Sequence, residues 1–374
     1  NEAKRPVLYA GGGVITSGAA ADLANLAHKA QIPVATTFMG LGAFDERDAL
    51  SLRMAGMHGS AAANWAINEA DCIIALGVRF SDRVTGNIKL YAPDAKIIHV
   101  DCDPSSINKN VKAALGICAD IKDVLTTVNS RIKANTHAEW LRKIHAWQKE
   151  RPIAYRPMHE GVIMPQAVVE AIDKATNGEA LIVTDVGQHQ MWAAQFFRHN
   201  TPRHFLSSGG MGTMGFGIPA AIGAGLGKPG AKVVCVVGDG GAQMTFEEVV
   251  CAVEHKVPVT FVIVNNSCLG MVRQWQQLFY KERYAGSILS VKGRLDMERL
   301  DQDLEYDYLP DFTLLAKAHG AEAFRVIDPA KLDQTIKKAI GCGKTAVVEV
   351  IVEPRANVYP MIPGGKPVTE MIFG

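Results

Sequence analysis

Short apolar runs alternate with helical patterns along almost the whole chain, and this alternation restricts the fold more than any other feature. Apolar runs of this kind predict buried strands, and the segments between them predict crossover helices. Such βαβ units form parallel sheets that are covered on both faces. A chain of 374 residues is too long for one ordinary hydrophobic core. We therefore expect an α/β protein with two doubly wound parallel-sheet domains.

The first predicted domain covers residues 1–130. Its strands are expected at Pro6–Ala10, Val34–Thr37, Cys72–Leu76 and Lys96–Val100, and its helices at Ser17–Ala30 and Ser60–Glu69. A charged linker follows at 131–160, rich in Lys, Arg, His and Trp. Pro152 and Pro157 predict that the end of this linker is extended, because proline disfavours helix in the residue before it.

The second predicted domain covers residues 161–374. Its strands are expected at Leu181–Asp185, Val233–Val237, Val259–Val264 and Ala346–Val352. Its helices are expected at Pro165–Ala175, Met211–Gly225, Thr245–Glu254 and Phe312–Ala318. Strands that alternate with helices in this way predict that each sheet binds ligands at the carboxyl ends of its strands.

Charge and cysteine content bear on partners and compartment. Lys and Arg number 39 against 38 Asp and Glu, so we expect neither a nucleic acid nor a membrane as partner. The seven cysteines include no CxxC pair, and most lie in apolar runs, which predicts buried, reduced thiols. A reducing cytoplasm or plastid stroma is the expected location. The chain begins at Asn1 and soon enters a strand, which suggests a segment of a longer protein.

The strongest chemical signal is a pair of polar turns in the second domain. Gly238-Asp239-Gly240 directly follows one strand, and Asn265-Asn266 directly follows the next, 24 residues on (positions 241 to 264). Asp239 and Asn266 offer hard oxygen ligands, and a main-chain carbonyl near Cys268 adds a third; Mg²⁺ prefers such ligands. The glycines let backbone N–H groups approach a diphosphate. The alternative interpretation is two ordinary tight turns.

The segments TDVGQHQMW (184–192), SSGGMGTMGFG (207–217) and LGMVRQW (269–275) accompany this motif. Together they resemble the acetolactate synthase family of thiamine diphosphate enzymes. The resemblance implies a site for thiamine diphosphate and Mg²⁺, with Asp239, Asn266 and Cys268 at the metal. The implied cofactor residues are Val186, Gly187, Gln188, His189, Gly212, Met214, Gly238, Asp239, Gly240, Gly241, Asn266, Gly270, Met271 and Val272.

The resemblance also implies individual roles. Gln188 and His189 would contact the diphosphate, and Met214 would hold thiamine in its bent conformer, bringing the aminopyrimidine nitrogen close to the reactive carbon. Trp275 would shape the pocket of the second substrate. Taken alone, Met211 and Met214 are more simply interpreted as core packing.

A glycine turn in the first domain predicts a second ligand. Gly11-Gly12-Gly13 follows the first strand, but it is not GxGxxG. TFMGLG (37–42), MHG (57–59), GVRFSDRVTG (77–86) and Asp101 at a strand end extend the family resemblance, which implies FAD in a structural role. The implied flavin residues are Gly11, Gly12, Gly13, Met57, His58, Gly77, Arg79, Asp101 and Asp120.

Arg83 would bind the carboxylate of the second 2-oxo acid, and Met57 would pack against the substrate. The alternatives are a surface ion pair of Arg83 with Asp82 and a purely structural His58. Ser81 departs from the family, which usually has Asp there. The stretch Tyr284–Asp311, with the charged run Val291–Leu300, is longer than the family pattern predicts.

The implied reaction is acetolactate synthesis for valine, leucine and isoleucine. Pyruvate is decarboxylated on thiamine diphosphate, and the hydroxyethyl carbanion is ligated to a second pyruvate or to 2-oxobutyrate. The family's catalytic Glu belongs to an N-terminal domain that this sequence does not contain. The alternatives are therefore a cofactor-binding fragment or non-catalytic partner, or another thiamine carboligase or oxidase. A homodimer or homotetramer and a small regulatory subunit are expected partners.

Overall fold

The computed structural model describes residues 1–289 and 310–374. The chain forms two compact units. Unit 1 comprises Asn1–Ala154, Arg198–His204 and Tyr359–Gly374, and unit 2 comprises Tyr155–Phe197 and Phe205–Val358.

Unit 1 is built on a six-stranded parallel sheet with the order β3-β2-β1-β4-β5-β6. Its strands are β1 (Pro6–Ala10), β2 (Val34–Thr36), β3 (Ser51–Met54), β4 (Cys72–Leu76), β5 (Lys96–Asp101) and β6 (Leu115–Cys118). Its helices are α1 (Gly12–Thr16), α2 (Ala20–Ala30), α3 (Ala61–Glu69), α4 (Asp82–Thr85), α5 (Ile121–Arg131) and α6 (Ala138–Glu150). The order reverses between β1 and β4, which makes a crevice at their carboxyl ends.

Both faces of the unit 1 sheet are buried, as the apolar runs predict. Tyr9 on β1 packs in one core with Ile73 and Trp140. Its neighbour Leu8 points to the opposite face and packs in a second core with Leu23 and Leu26 of α2. The alternation of side chains along a strand thus supplies a separate core to each layer of helices.

Unit 2 contains a second six-stranded parallel sheet with the order β11-β12-β10-β9-β7-β8. Its strands are β7 (Leu181–Thr184), β8 (Phe205–Ser207), β9 (Val233–Gly238), β10 (Val259–Asn265), β11 (Glu322–Val326) and β12 (Ala346–Ile351). Its helices are α7 (Pro165–Thr176), α8 (Gln188–Phe196), α9 (Gly217–Gly227), α10 (Asp239–Thr245), α11 (Val249–Glu254), α12 (Gly270–Phe279), α13 (Phe312–Ala318) and α14 (Leu332–Gly341). Every residue of β9 and β10 is buried, so these are the central strands of the sheet.

The two parallel sheets confirm the predicted fold class, but three predicted helices have different bounds. The helix expected at Met211–Gly225 begins only at Gly217, because Gly212 and Gly215 adopt left-handed backbone conformations with φ of 64° and 87°. Gly18, with φ of 67°, likewise separates α1 from α2. The helix expected at Thr245–Glu254 consists of the end of α10, a 3₁₀ turn at Phe246–Glu248, and α11.

The expectation that most cysteines are buried was wrong. Cys235 and Cys268 are buried, while Cys102 and Cys118 are exposed and the other three are partly exposed. Cys102 and Cys118 fall at the end of β5 and at the edge strand β6, where the apolar pattern does not guarantee burial. The predicted charged insertion at Val291–Leu300 lies outside the described residues. No helix among the described residues is long and apolar enough to cross a membrane.

Candidate functional site

Three neighbouring strands of unit 2 end in polar residues at one edge of the sheet. Asp185 follows β7, Asp239 follows β9 as the first residue of α10, and Asn266 follows β10. The strand order reverses between β7 and β9, and parallel α/β sheets bind ligands at the carboxyl ends of strands beside such a reversal. The sequence prediction that the GDG and NN turns share one edge is therefore met by the sheet topology.

Asp239 is the buried carboxylate of this edge. It is the first residue of α10, and its Oδ1 accepts a hydrogen bond from the Gly240 N–H at 2.9 Å. Burial raises the pKa of Asp239 to about 7, while the backbone N–H groups of Gly240, Ser267 and Cys268 oppose the rise. The carboxylate therefore faces the turn that follows β10, and a nearby cation would favour its charged form.

The turn after β10 is held by two asparagine side chains. Asn265 Oδ1 accepts from the Ser267 N–H at 3.0 Å, and Asn266 Oδ1 accepts from the Cys268 N–H at 3.2 Å. Ser267 has a left-handed backbone with φ of 53°, a conformation that local hydrogen bonds of this kind make tolerable. The Cys268 N–H contacts both the Asp239 carboxylate and Asn266 Oδ1, so the turn brings these two predicted metal ligands close together, while the Cys268 carbonyl stays a predicted third ligand.

Gln188 connects this turn to helix α12. Its Oε1 accepts from Asn266 Nδ2 at 3.3 Å, and its Nε2 donates to Gln274 Oε1 at 2.8 Å and to the Ala356 carbonyl at 3.0 Å. A Cβ atom on Gly270 would stand 2.1 Å from Gln188 Oε1. The glycine at the start of α12 is therefore required for this close approach.

His189 lies over the glycine turn at the end of β9. A Cβ atom on Gly238 would stand 2.8 Å from His189 Nδ1, so the ring occupies the space that a side chain would need. Burial lowers the pKa of His189 to about 4, although the carboxylate of Asp185 opposes this. The imidazole is thus neutral near pH 7, and its buried Nε2 has no hydrogen-bond partner among the residues that the structure describes.

Asp185 organises the loop that carries Met214, and the sequence reasoning did not identify it. The fully buried carboxylate accepts hydrogen bonds from the N–H groups of Val186, Gly215 and Gly217, at 2.8, 3.2 and 2.7 Å. A Cβ atom on Gly241 would stand 2.5 Å from Asp185 Oδ1. An acidic residue at a strand end, two residues before a glycine, was the available signal.

Met214 is partly buried and lies beside the glycine turn, whereas the residues before it in the chain are exposed to solvent. A Cβ atom on Gly240 would stand 3.8 Å from Met214 Cε. Met211 is 92% exposed, and Gly212 is also exposed. Core packing therefore does not account for Met211 in this chain.

Helix α12 has one buried and one open side. Arg273 and Gln274 are fully buried, whereas Val272 is exposed and Met271 and Trp275 are partly exposed. The Trp275 ring lies 5.2 Å from the Phe279 ring, centroid to centroid. The residues that the resemblance assigns to ligands are therefore on the open side. The buried pair was missed because charged and amide side chains in a helix usually predict a solvent-facing surface.

The glycines among the predicted flavin residues of unit 1 lie where its strand order reverses. Gly11 N–H donates to the Leu76 carbonyl at 2.9 Å, so the turns after β1 and β4 lie side by side. A Cβ atom on Gly11 would stand 2.0 Å from the Gly77 carbonyl oxygen, and one on Gly13 would stand 2.7 Å from Gly77 Cα. The glycines thus allow two backbone segments to pack closely, and Gly12 and Gly13 already belong to α1.

The polar residues of this region have local roles in the chain. Asp101 Oδ1 accepts from the Asp103 N–H at 2.9 Å, and Asp120 caps α5 by accepting from the Lys122 N–H at 2.8 Å. Arg79 is exposed and follows Gly77 after β4. Asp101 is the last residue of β5, and Arg79 follows the adjacent strand β4.

A third group in unit 1 unites Met57, His58 and Arg83. The Met57 N–H donates to the Arg83 carbonyl at 2.7 Å, and the Met57 carbonyl accepts from the Ile362 N–H at 2.8 Å. His58 Nδ1 lies 3.3 Å from the Pro360 carbonyl oxygen, and burial lowers the pKa of His58 to about 4. The Arg83 guanidinium pairs with Asp82 at 2.9 Å, and its side chain is 67% exposed.

Two family models match this chain. Residues 1–128 match the central domain of thiamine pyrophosphate enzymes, and residues 185–350 match their C-terminal TPP binding domain. The first range contains the whole sheet of unit 1, and the second contains the sheet of unit 2 from β8 to β11 and most of β12.

Several curated proteins are similar over almost the whole chain. A probable acetolactate synthase large subunit of Methanocaldococcus jannaschii is 42% identical, with 99% of this chain and 61% of that protein covered. Acetolactate synthase 2, chloroplastic, of Zea mays is 41% identical, with 100% of this chain and 57% of that protein covered. The acetolactate synthase large subunit of Haemophilus influenzae is 40% identical, with 99% of this chain and 63% of that protein covered. The chain thus spans about three fifths of the length of these relatives, and it belongs to the thiamine pyrophosphate enzymes, of which it contains the central and the C-terminal TPP binding domains.

Proposed function

We propose that this chain provides the cofactor-binding and acceptor-binding parts of an acetolactate synthase. The observation that carries the proposal is that the Asp239 carboxylate and Asn266 Oδ1 both contact the Cys268 N–H, at the carboxyl ends of β9 and β10. The similarity to acetolactate synthases across the whole chain supports this specific activity. The proposed cofactors are thiamine diphosphate, Mg²⁺ and FAD.

The residues at this edge of unit 2 fit a metal-bound diphosphate. Among residues 1–289 and 310–374, no three His, Cys, Asp or Glu side chains group as a metal site. A cation here would therefore use Asp239, the Asn266 amide oxygen, a main-chain carbonyl and oxygens of the diphosphate, which is a ligand set that suits Mg²⁺. The buried His189 Nε2, which has no partner in the described part of the chain, would be available to the diphosphate.

The proposed flavin site is the crevice of unit 1 between the ends of β1 and β4. This crevice lies where the strand order reverses, and such positions bind dinucleotides. Asp101 would accept from ribose hydroxyls, and Arg79 would contact the nucleotide. Because the ligation has no net redox change, the flavin would be structural.

The proposed reaction joins two 2-oxo acids after one of them has lost CO₂. When bound, thiamine diphosphate supplies a nucleophilic carbon and an electron sink for the decarboxylation. Met214 would support the bent cofactor from its place beside Gly240. Arg83 would exchange its contact with Asp82 for the carboxylate of pyruvate or 2-oxobutyrate, which a guanidinium binds in a bidentate manner. Trp275, on the open side of α12, would shape the acceptor pocket.

Further partners are part of the same proposal. The names of several relatives describe a large subunit, so a small regulatory subunit is a proposed partner. The exposed Met211 and Val272 would be covered by a second copy or a pyrimidine-binding domain, consistent with a homodimer or homotetramer. Cytoplasm or plastid stroma is the proposed location.

Product analysis with pyruvate tests the proposed activity. The chain is incubated with pyruvate, thiamine diphosphate, Mg²⁺ and FAD, with and without a pyrimidine-binding domain supplied separately. We expect 2-acetolactate in the complete mixture, and none with Asp239→Asn. Acetate or acetaldehyde as the main product would instead indicate an oxidase or decarboxylase.

A second candidate function follows from the share of the relatives that this chain covers. The chain spans 57–63% of the relatives described above, so a cofactor-binding partner without catalysis is the alternative. It predicts that the chain binds thiamine diphosphate but forms no product even with the added domain. Turnover in the complete mixture would exclude it.

A further inference from the structure

A row of polar side chains runs across strands β10, β12 and β11 of unit 2, next to the turn that carries Asn266. Its centre is Glu349 on β12, which is fully buried and lies opposite Ile263 of β10 and Arg325 of β11. Asn265 lies two residues beyond Ile263, on the same face of the sheet. It is therefore the diagonal neighbour of Glu349, within side-chain reach.

Both oxygens of Glu349 are engaged. Oε1 accepts from Asn265 Nδ2 at 2.8 Å, and Oε2 accepts from Arg325 Nε at 2.7 Å. Arg325 also donates from Nη2 to Asp311 Oδ1 at 2.7 Å, and Asp311 caps the start of α13. A buried carboxylate is costly unless it is paired and hydrogen-bonded, and this one has a charged partner on one side and an amide on the other.

The contact with Glu349 fixes which way the Asn265 amide points. Because Nδ2 faces the carboxylate, Oδ1 must face the Ser267 N–H, from which it accepts at 3.0 Å. That hydrogen bond supports Ser267 in its left-handed conformation. The amide orientation therefore sets the path of the backbone through Asn266 and Cys268, the two ligands that β10 delivers.

We propose that Glu349 is a positioning residue for the metal-binding turn: it holds the Asn265 amide so that Asn266 and the Cys268 carbonyl are presented to Mg²⁺. This inference rests on the proposed function, because it assumes that the turn binds the metal of a diphosphate cofactor. Outer-shell partners of this kind typically change metal affinity by 10- to 100-fold. Arg325 holds the Glu349 carboxyl group from the opposite side through its Nε.

A reversal of donor and acceptor tests the contact itself. Glu349→Gln leaves one acceptor oxygen for two donors, Asn265 Nδ2 and Arg325 Nε, so one donor must face an amide NH₂. Adding Asn265→Asp restores a match. The new amide at position 349 donates to the new carboxylate at position 265 and accepts from Arg325, while position 265 still accepts from the Ser267 N–H. The double variant also keeps the net charge of the original chain.

The readout is the Kd of Mg²⁺ measured by calorimetry in the presence of saturating thiamine diphosphate. We expect Glu349→Gln to weaken Mg²⁺ binding by roughly tenfold or more, and the double variant to recover most of that loss. Glu322→Gln is the matched control, since Glu322 pairs with Lys344 at the surface of neighbouring β11. Its Mg²⁺ affinity is expected to equal that of the original chain.

Melting of the metal-free variants separates positioning from general destabilisation. If Glu349→Gln melts lower but binds Mg²⁺ as tightly as the original chain, Glu349 is only structural and the proposal is wrong. A double variant that binds no better than Glu349→Gln also contradicts it. An original chain that binds no Mg²⁺ with thiamine diphosphate would refute the proposed function instead.

Discussion

Asp185 Oδ2 accepts a hydrogen bond from the Gly217 N–H at 2.7 Å, and this contact ties the end of β7 to the first residue of α9. The same carboxylate accepts from the Gly215 N–H through Oδ1. One buried side chain therefore holds two N–H groups at the end of the loop that carries Met214. The position of this loop relative to the glycine turn at Gly240 depends on that side chain.

Asp185→Asn is expected to destabilise the chain and to weaken thiamine diphosphate binding. An amide NH₂ would face at least one of the three N–H donors, and a buried unsatisfied group costs about 1–3 kcal/mol. Chemical denaturation and cofactor titration measure the two effects. Asp103→Asn is the control, because Asp103 accepts similar bonds at the surface. Equal stability of Asp185→Asn and the original chain would contradict the role given to Asp185.

Gly270→Ala is expected to impair cofactor binding because the added Cβ would stand 2.1 Å from Gln188 Oε1 and 2.7 Å from Asn266 Nδ2. One of these side chains must move, and both face the proposed metal turn. We expect cofactor affinity to fall by roughly tenfold or more, as for other outer-shell changes. Gly223→Ala, in α9 with open space around it, should instead stabilise by about 0.5–1 kcal/mol. Unchanged cofactor binding in Gly270→Ala would be inconsistent with this geometry.

Gln274→Leu is expected to lower the free energy of unfolding. Gln274 Oε1 accepts from the Val358 N–H at 2.8 Å, and its Nε2 donates to the Val358 carbonyl at 3.2 Å. The apolar replacement leaves both backbone groups without that partner, at about 1–3 kcal/mol for each group that stays buried. Denaturation of Gln274→Leu and of Gln334→Leu, an exposed position on α14, provides the comparison. Similar stabilities for the two variants would show that the hydrogen bonds of Gln274 with the Val358 backbone contribute little to the free energy of unfolding.

Glu46 predicts a pH dependence of stability in unit 1. Burial raises the pKa of this carboxyl to about 7 from its ordinary 4.5, although Arg53 opposes the rise. The folded chain therefore holds a proton that the unfolded chain loses, so this stabilisation is complete below pH 4.5 and disappears as the pH rises through 7. The shift corresponds to about 3 kcal/mol.

Melting of Glu46→Gln between pH 4.5 and 8 tests this dependence. The variant cannot ionise at position 46, so its stability relative to the original chain should be more favourable at pH 8 than at pH 4.5. Parallel stability curves for the two proteins across that range would contradict the assignment. Glu69→Gln, at an exposed pair with Lys143, is the control.

Sequence patterns predicted the sheets well because strands buried on both faces leave an unambiguous apolar signature. The central strands β9 and β10 were predicted to within one residue. The edge strands β3, β6, β8 and β11 were not predicted, since a short or half-exposed strand such as Leu115–Cys118 has no continuous apolar run. Helix starts near Met211 were misplaced because left-handed glycines, and not hydrophobic periodicity, determine where α9 begins.

The proposed metal and diphosphate residues were accessible to sequence reasoning because GDG and NN follow strands directly. Their supporting residues were not, because Asp185, Gln274 and Glu349 act through contacts that depend on the strand order. Glu349 and Asn265 are 84 positions apart in sequence, and only the pairing of β10 with β12 brings them together. No local pattern in the sequence contains that register.

The most direct test of the account is a titration of thiamine diphosphate into this chain, with Mg²⁺ and with EDTA, for the original sequence and for Asp239→Asn. The account predicts that thiamine diphosphate binds only when Mg²⁺ is present. In the variant its affinity should fall roughly 100-fold, because one of the few protein ligands of the metal is lost. Binding that persists in EDTA, or that is equally tight in Asp239→Asn, would show that the ends of β9 and β10 are not the metal-diphosphate site.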